Sequence, residues 1–509
     1  MRILGNLEPN KVFYYFEELT KIPHGSRNTR QISNYLAAFA KEHHLEYYQD
    51  ESNNVVMIQE ASAGYEDAEP IIIQGHMDMV CEKEEDCPID FEKDALDLYI
   101  DGDFVRARGT TLGGDDGVAI AYALAILDSP ELKHPRLEVV ITVDEEIGML
   151  GAEEIDLSML KGHRMLNIDS DVENQFLTSC AGGMSVVATI PGKRVSMRGR
   201  CISLKIDGLQ GGHSGGEIDK ERANANILMG RLLRELSSVT PFGMVSLQGG
   251  RKDNAIPRSC TATIMIPWDN ADLIPDEQIL TMSEDELDNQ PVYANYRGVL
   301  DICRDLEWDL KKELRTSDPD IALQISGGEV LETSIFDSVS TDKLTFFLRT
   351  VPNGIQNMSL EIPGLVETSL NLGILELDAN SESIHMVISI RSSVSTRMFD
   401  VCDKVCHLIE MMGGEAAIEG DYPAWEYKAE SPLREQIAKV YQEVTGTAPV
   451  FDAIHAGLEC GILSEKIVDL DCVSFGPTNY DIHTPKERLS ISSTRKYWEF
   501  LIAFLEQAK

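Results

Sequence analysis

Five short segments of the chain carry histidine and carboxylate side chains of the kind that hold divalent metals and move protons. IIIQGHMDMV (71–80) ends an apolar, β-branched run in His76 and, two positions on, Asp78. GTTLGGDDGVAIA (109–121) sets Asp115 and Asp116 between a glycine turn and an apolar run, and TVDEEIGMLGAEE (142–154) supplies Asp144, Glu145 and Glu146. NIDSD (167–171) contributes Asp169, and SFGPTNYDIHTPKERLSIS (474–492) contributes His483. Imidazole and carboxylate donors suit Zn2+ and its first-row neighbours. A pair of such ions can serve a hydrolytic reaction, with a non-ligand glutamate as general base. Each segment alone has a plainer reading. Acids at strand ends begin loops or cap helices, Asp116 could cap the helix it precedes, and His483 could be a loop histidine. Together they weigh differently, because carboxylates gathered at one rim raise one another's pKa and a cation relieves the repulsion.

The elements that must position these residues are legible in the apolar pattern. VVMIQ (55–59), IIIQ (71–74), LEVVITV (137–143) and MLNID (165–169) read as strands, and GVAIAYALAIL (117–127) as a buried helix. Near-continuous apolar strands alternating with helices predict an α/β fold, a mostly parallel sheet with helices on both faces. In such sheets the binding crevice lies at the carboxyl ends of the strands, where all five segments can meet. His76 and Asp78, two apart, start on the same face of their strand.

From residue 189 the texture changes to alternating strands (201–209, 244–248, 260–266, 343–350, 371–378, 384–391) around a helix at 223–238. This predicts an inserted α+β domain over 189–404, with the acidic stretch 274–291 as a solvated loop or short helix. The α/β texture returns with a helix at 433–444, a strand at 467–476 and a final helix at 494–507. The expected division is therefore 1–188 with 405–509, and 189–404.

The 509 residues exceed one typical core. With 45 basic and 85 acidic residues the formal charge is −40, which argues against nucleic acid and anionic membrane partners. No apolar run approaches the ~20 residues that span a bilayer. The first 25 residues read as an amphipathic helix starting near Glu8-Pro9-Asn10 rather than a signal peptide, so a cytoplasmic location is expected. In that setting the ten cysteines are expected as free, mostly buried thiols.

The set H-M-D, G-x-x-x-G-G-D-D-G, D-E-E-I-G, N-I-D-S and Y-D-I-H-T-P resembles the M20 family of co-catalytic metallopeptidases. GLQGGHSGGEID (208–219), RKDNAIPR (251–258) and IHAGLECGIL (454–463) are similar to its aminoacyl-histidine dipeptidase branch, although RKDNAIPR departs from the branch pattern by a charged pair ahead of Asn254. The resemblance spans nearly the whole chain. It implies hydrolysis of dipeptides, Xaa-His among them, by a hydroxide bridging two divalent metals, most readily Zn2+, with Co2+ or Mn2+ as alternatives. It implies His76 and Asp169 on the first metal, Glu146 and His483 on the second, Asp115 bridging both, and Asp116 in a structural role. Glu145 would be the general base, and Asp78 would touch only His76, orienting its imidazole. The inserted domain would be a lid that also carries substrate contacts and homodimerisation. His213 would polarise the scissile carbonyl, Asn254 and Arg391 would hold the substrate's backbone or carboxylate, and Gly457 would offer a backbone N–H. A surface or core ion pair is an equal reading for Arg391. An N-acyl amino acid deacylase, a tripeptidase or a catalytically silent metal-binding protein on the same scaffold remain the alternatives.

Overall fold

The computed structural model describes residues 2–267 and 291–509, so the acidic stretch at 274–291 lies outside the described residues apart from Pro291. The chain forms two compact units, Met1–Cys180 with Pro423–Lys509, and Ala181–Tyr422.

The first unit is built on an eight-stranded sheet in the order Glu46–Gln49, Val55–Gln59, Leu137–Thr142, Ile71–His76, Arg164–Asn167, Asp471–Ser474, Gln175–Cys180, Val450–Ile454. The four strands from Leu137–Thr142 to Asp471–Ser474 run mutually parallel, and the first two pair antiparallel. The sheet is thus mixed, parallel where the site residues emerge. Every residue of Ile71–His76 and Leu137–Thr142 is buried, which their unbroken apolar sequence requires. The apolar run after Asp115 and Asp116 is the helix Gly114–Leu127, whose residues from Asp116 to Leu127 are all buried. The turn before it needs a glycine, since Gly113 has φ 71°. A second core element, the helix Ile491–Gln507, places Tyr497, Phe500 and Phe504 in an aromatic cluster with Phe176, Tyr441 and Phe475.

The second unit is built on a nine-stranded antiparallel sheet in the order Ala322–Phe336, Arg194–Asp207, Cys260–Pro267, Gly243–Gly249, Val366–Leu377, Ser383–Ser392, Gly182–Pro191, Glu415–Tyr422, with Gly354–Met358 beside Val366–Leu377. Relative to the division read from sequence, the unit starts at 181 and ends at 422. The backbone ladder is the reason: Gly182–Pro191 and Glu415–Tyr422 pair with each other inside this sheet. Residues 343–350, expected as a strand, are instead part of the helix Ser338–Thr350. Asp337 caps it by accepting the Ser340 N–H at 2.8 Å, and Leu344, Phe347 and Leu348 recur at helical spacing on its buried face.

All ten cysteines are free thiols. Among the described residues no helix is long and apolar enough to cross a membrane.

Candidate metal centre

The parallel strands deliver the site residues to one rim. His76 is the last residue of its strand and Asp169 lies two past Asn167. Asp144, two past Thr142, takes φ 55°, a left-handed turn that redirects the chain just before Glu145 and Glu146. Asp115 sits at the start of the buried helix, joined to Asp116 by a cis peptide, and His483 lies in the loop between Asn479–Tyr480 and Arg488–Ser490.

The two oxygens of Asp115 face two different imidazoles. His76 Nε2 is 3.1 Å from Asp115 Oδ1 and 3.6 Å from Asp169 Oδ1. His483 Nε2 is 3.3 Å from Asp115 Oδ2 and 3.0 Å from Glu146 Oε2. Donor atoms of three sets, His76 with Asp116 and Asp169, His76 with Glu145 and Glu146, and Asp115 with Glu146 and His483, lie within 4.8 Å of one another. The donor set fits divalent cations. It is all nitrogen and carboxylate oxygen, and Glu146 Oε1 is buried with no hydrogen-bond partner among the described residues.

The protonation pattern is that of charges packed into a small volume. Burial pushes the His76 pKa down, but hydrogen bonds to Asp115, Asp169 and Asp78 outweigh it and hold the imidazole well above its ordinary value. Hydrogen bonds to Asp115 and Glu146 push His483 up to about 10. Asp115 is held low by the two histidines against its burial. Burial raises Glu145 well above the usual carboxylate range, reinforced by Asp169, Glu459 and Glu146, and burial also raises Glu146 and Asp169.

Asp78 does more than face His76. His76 Nδ1 is 3.0 Å from the Asp78 carbonyl oxygen and 3.5 Å from Oδ1. The carboxylate itself accepts the N–H groups of Glu145 and Glu146 at 3.1 and 3.4 Å and the Ser26 hydroxyl at 2.9 Å. The expectation of a contact to His76 alone is corrected: beyond the strand end the Asp78 carboxylate accepts from the turn that carries the two glutamates. Asp116, buried beside Asp115, accepts the His76 backbone N–H at 3.2 Å.

A cleft of about 350 Å³ opens on these groups, lined by Asp115, Glu145, Asp169, His483 and Gly457, and by Asp171, which sequence reasoning passed over. The second acid of NIDSD was its only signal. Two further carboxylates were missed. Glu459 is fully buried, takes hydrogen bonds from Gln74 Nε2 at 2.5 Å and Thr142 Oγ1 at 2.6 Å, and is pushed by burial up to about 7. Glu487, four residues after His483, binds the backbone of the glycine turn before Asp115. Neither carries a sequence signal beyond its place in an already quoted motif.

In the second unit, His213, Asn254 and Arg391 share one neighbourhood. His213 pairs with Ala255, and the Asn254 carbonyl accepts the Ser214 N–H at 2.8 Å. Burial, reinforced by the Arg391 charge, lowers the His213 pKa. Arg391 donates to the Tyr422 hydroxyl at 2.7 Å, and its buried Nε has no partner among the described residues. His213 Nδ1 accepts N–H bonds from Gly215 and Gly216 at 3.1 and 3.0 Å. That fixes the neutral tautomer with the proton on Nε2.

A family model for peptidase family M20/M25/M40 matches residues 72–507. The chain belongs to this family. It is 33% identical over 519 residues to the cytosol non-specific dipeptidase of Escherichia coli, covering 100% of this chain and 99% of that protein. Among solved structures, the aminoacylhistidine dipeptidase of Vibrio alginolyticus superposes with a TM-score of 0.86 at 32% identity, covering 99% of this chain and 97% of that one. A Bacillus cereus aminopeptidase PepT shares the fold, with a TM-score of 0.56 at 14% identity over 99% of both chains. M20 membership implies a divalent metal, and the donor cluster is where this chain can hold one.

Proposed function

We propose that this protein is a cytoplasmic dinuclear metallo-dipeptidase that hydrolyses unblocked dipeptides, Xaa-His among them. The observation that supports the reading most directly is Asp115, whose two oxygens each face the Nε2 of a different imidazole, with Asp169 beside one and Glu146 beside the other. The full-length likeness to two proteins named as dipeptidases supports the substrate class.

In this reading His76 and Asp169 would hold one cation, Glu146 and His483 the other, and Asp115 would serve both. Zn2+ is the cation expected from the resemblance, and the same donors accept Co2+ or Mn2+. The chemistry such cations would supply when bound is polarisation of the scissile carbonyl and acidification of water. Glu145 takes the proton of the attacking water and passes it to the leaving amine. Its environment suits that task, since burial and surrounding negative charge raise its affinity for a proton. Asp78 orients the His76 ring and holds the Glu145 backbone. The second unit is the lid and the dimerisation unit. His213 donates its Nε2–H to the carbonyl oxygen as negative charge develops there. Arg391 and Asn254 bind the substrate's carboxylate and backbone, and Gly457 donates a backbone N–H in the cleft.

The test is hydrolysis by metal-stripped protein with single metals added back, on a dipeptide panel including Xaa-His, a tripeptide and an N-acetyl amino acid. Metal-dependent turnover of the dipeptides above the other two is expected. Preference for the N-acetyl compound or the tripeptide would make it a deacylase or a tripeptidase. Metal uptake without any turnover would make it a silent scaffold.

A further inference from the structure

The ligands at the strand ends are held by the sheet. His76 is in a parallel ladder with Thr142, and Asp169 lies two residues past the strand that pairs with both Ile71–His76 and Asp471–Ser474. His483 has no such support. It sits in a loop whose ends pair as Tyr480 with Arg488, its side chain is 47% exposed, and its backbone takes φ 61°. Something else must set its distance from Asp115, more than 360 residues earlier in the chain.

We infer that Glu487 is a positioning residue that couples the two loops and thereby builds the site of the second cation. The Glu487 side chain is buried and bidentate toward the backbone that leads into Asp115. Oε2 accepts the N–H groups of Leu112 at 2.6 Å and Gly113 at 3.0 Å, and Oε1 those of Gly114 at 2.8 Å and Asp115 at 3.3 Å. Asn479, at the base of the His483 loop, adds its Nδ2–H to Oε1 at 3.1 Å. Consecutive N–H groups in a turn entering a helix form a concavity that favours an anion, and here the anion comes from the loop that carries His483. On the other side, Glu487 N–H donates to the Thr484 carbonyl at 3.1 Å, closing the turn directly after His483. The approach is tight: a Cβ on Gly114 would stand 2.8 Å from Asn479 Nδ2 and 3.1 Å from Glu487 Oε1. One carboxylate therefore fixes both the Asp115 backbone and the turn of His483, and the 3.3 Å between Asp115 Oδ2 and His483 Nε2 follows from it. Glutamine cannot replace it, because its amide NH2 would meet two of the N–H donors.

The proposal rests on the two-cation reading above, and the experiment separates them. Metal-free full-length wild type, Glu487→Gln and Asn479→Ala are titrated with Zn2+ in competition with a chromophoric chelator, alongside thermal melts of the metal-free proteins. Wild type should take up two equivalents; fewer would overturn the two-cation reading and this proposal with it. Glu487→Gln should bind one equivalent with wild-type affinity and the other about 10–100-fold more weakly, the usual loss when a group supporting a ligand is removed. At limiting Zn2+ its dipeptide kcat should fall while KM holds, and excess Zn2+ should restore it. Asn479→Ala removes one of the five donors and should weaken the same equivalent by a smaller factor. If both equivalents bind Glu487→Gln as they bind wild type, while its metal-free melting temperature drops, Glu487 only stabilises the fold and the proposal is overturned. Should Glu487→Gln not fold, Asn479→Ala decides: unchanged affinity for both equivalents overturns the proposal and selective weakening of one upholds it.

Discussion

The Asp78 carboxylate accepts the backbone N–H of Glu145 at 3.1 Å, so the residue two past His76 also fixes the turn that carries the proposed general base. Asp78→Asn keeps an acceptor for one of the two N–H groups and sets an amide NH2 against the other. Its kcat should fall about 10–100-fold with metal content intact. His76→Ala should instead lose a metal equivalent. Elemental analysis of the purified variants beside dipeptide turnover distinguishes the two.

Glu145→Gln keeps the shape of the side chain and removes its basicity. Turnover should drop by roughly 10²–10⁴ with metal still bound. Near-normal turnover in a metal-replete Glu145→Gln protein would show that the proton is taken elsewhere.

Stripping the metal should abolish hydrolysis and lower the melting temperature. Asp115, Glu146 and Asp169 gather within a few ångströms of His76 and His483, and cations that bind the folded site but not the unfolded chain stabilise by mass action. A Zn2+ titration of the chelator-treated protein should raise the melting temperature progressively. A melting temperature indifferent to Zn2+ would argue against a metal site here.

His213→Ala should reduce kcat by about 10²–10³, the scale for removing one donor from an oxyanion site. Because Gly215 and Gly216 already donate to Nδ1, the imidazole is neutral, and burial together with Arg391 keeps it so below the usual histidine range. Loss of activity on acidification should therefore not follow a group titrating near the ordinary histidine pKa at this position. A pH–kcat profile of wild type against His213→Gln is the measurement.

Away from the site, His134 is buried with Nδ1 2.8 Å from the Pro135 carbonyl, and burial lowers its pKa from 6.5. A lowered folded-state value means the unfolded chain takes up the proton first. The stability is therefore full above pH 6.5 and is lost as pH falls from there through the folded value. One such proton accounts for at most about 1.4 kcal/mol per pH unit. Urea melts of metal-free His134→Gln should show a shallower loss than wild type over that window and the same slope above it.

Much of the site was readable from residue type because its chemistry is local. A strand that ends in His76, a turn of glycines before Asp115 and a strand that ends before Glu145 and Glu146 each have a fixed periodicity and a fixed exit. The Ser338–Thr350 helix was misread because Leu344, Phe346 and Leu348 also satisfy a period of two, and only the cap at Asp337 and burial of Phe347 favour the helix. The limits of the second unit were read inward of their true positions for a related reason: strand pairing between Gly182–Pro191 and Glu415–Tyr422 joins segments more than two hundred residues apart.

The sequence by itself determined the donor types, the general base candidate, the α/β scaffold with an inserted unit and the likeness to M20 peptidases, since all of these reside in side-chain identity and short-range spacing. Only the tertiary structure decided which atoms meet. It set the two oxygens of Asp115 on separate imidazoles, gave Asp78 to the backbone of Glu145, buried Glu459 beneath Gln74 and Thr142, and tied the His483 loop to the Asp115 turn through Glu487. Those partners lie as far as 385 residues apart. No local pattern encodes such a distance; it follows from the order of strands in the sheet and from each buried polar atom having to find a partner once water is gone.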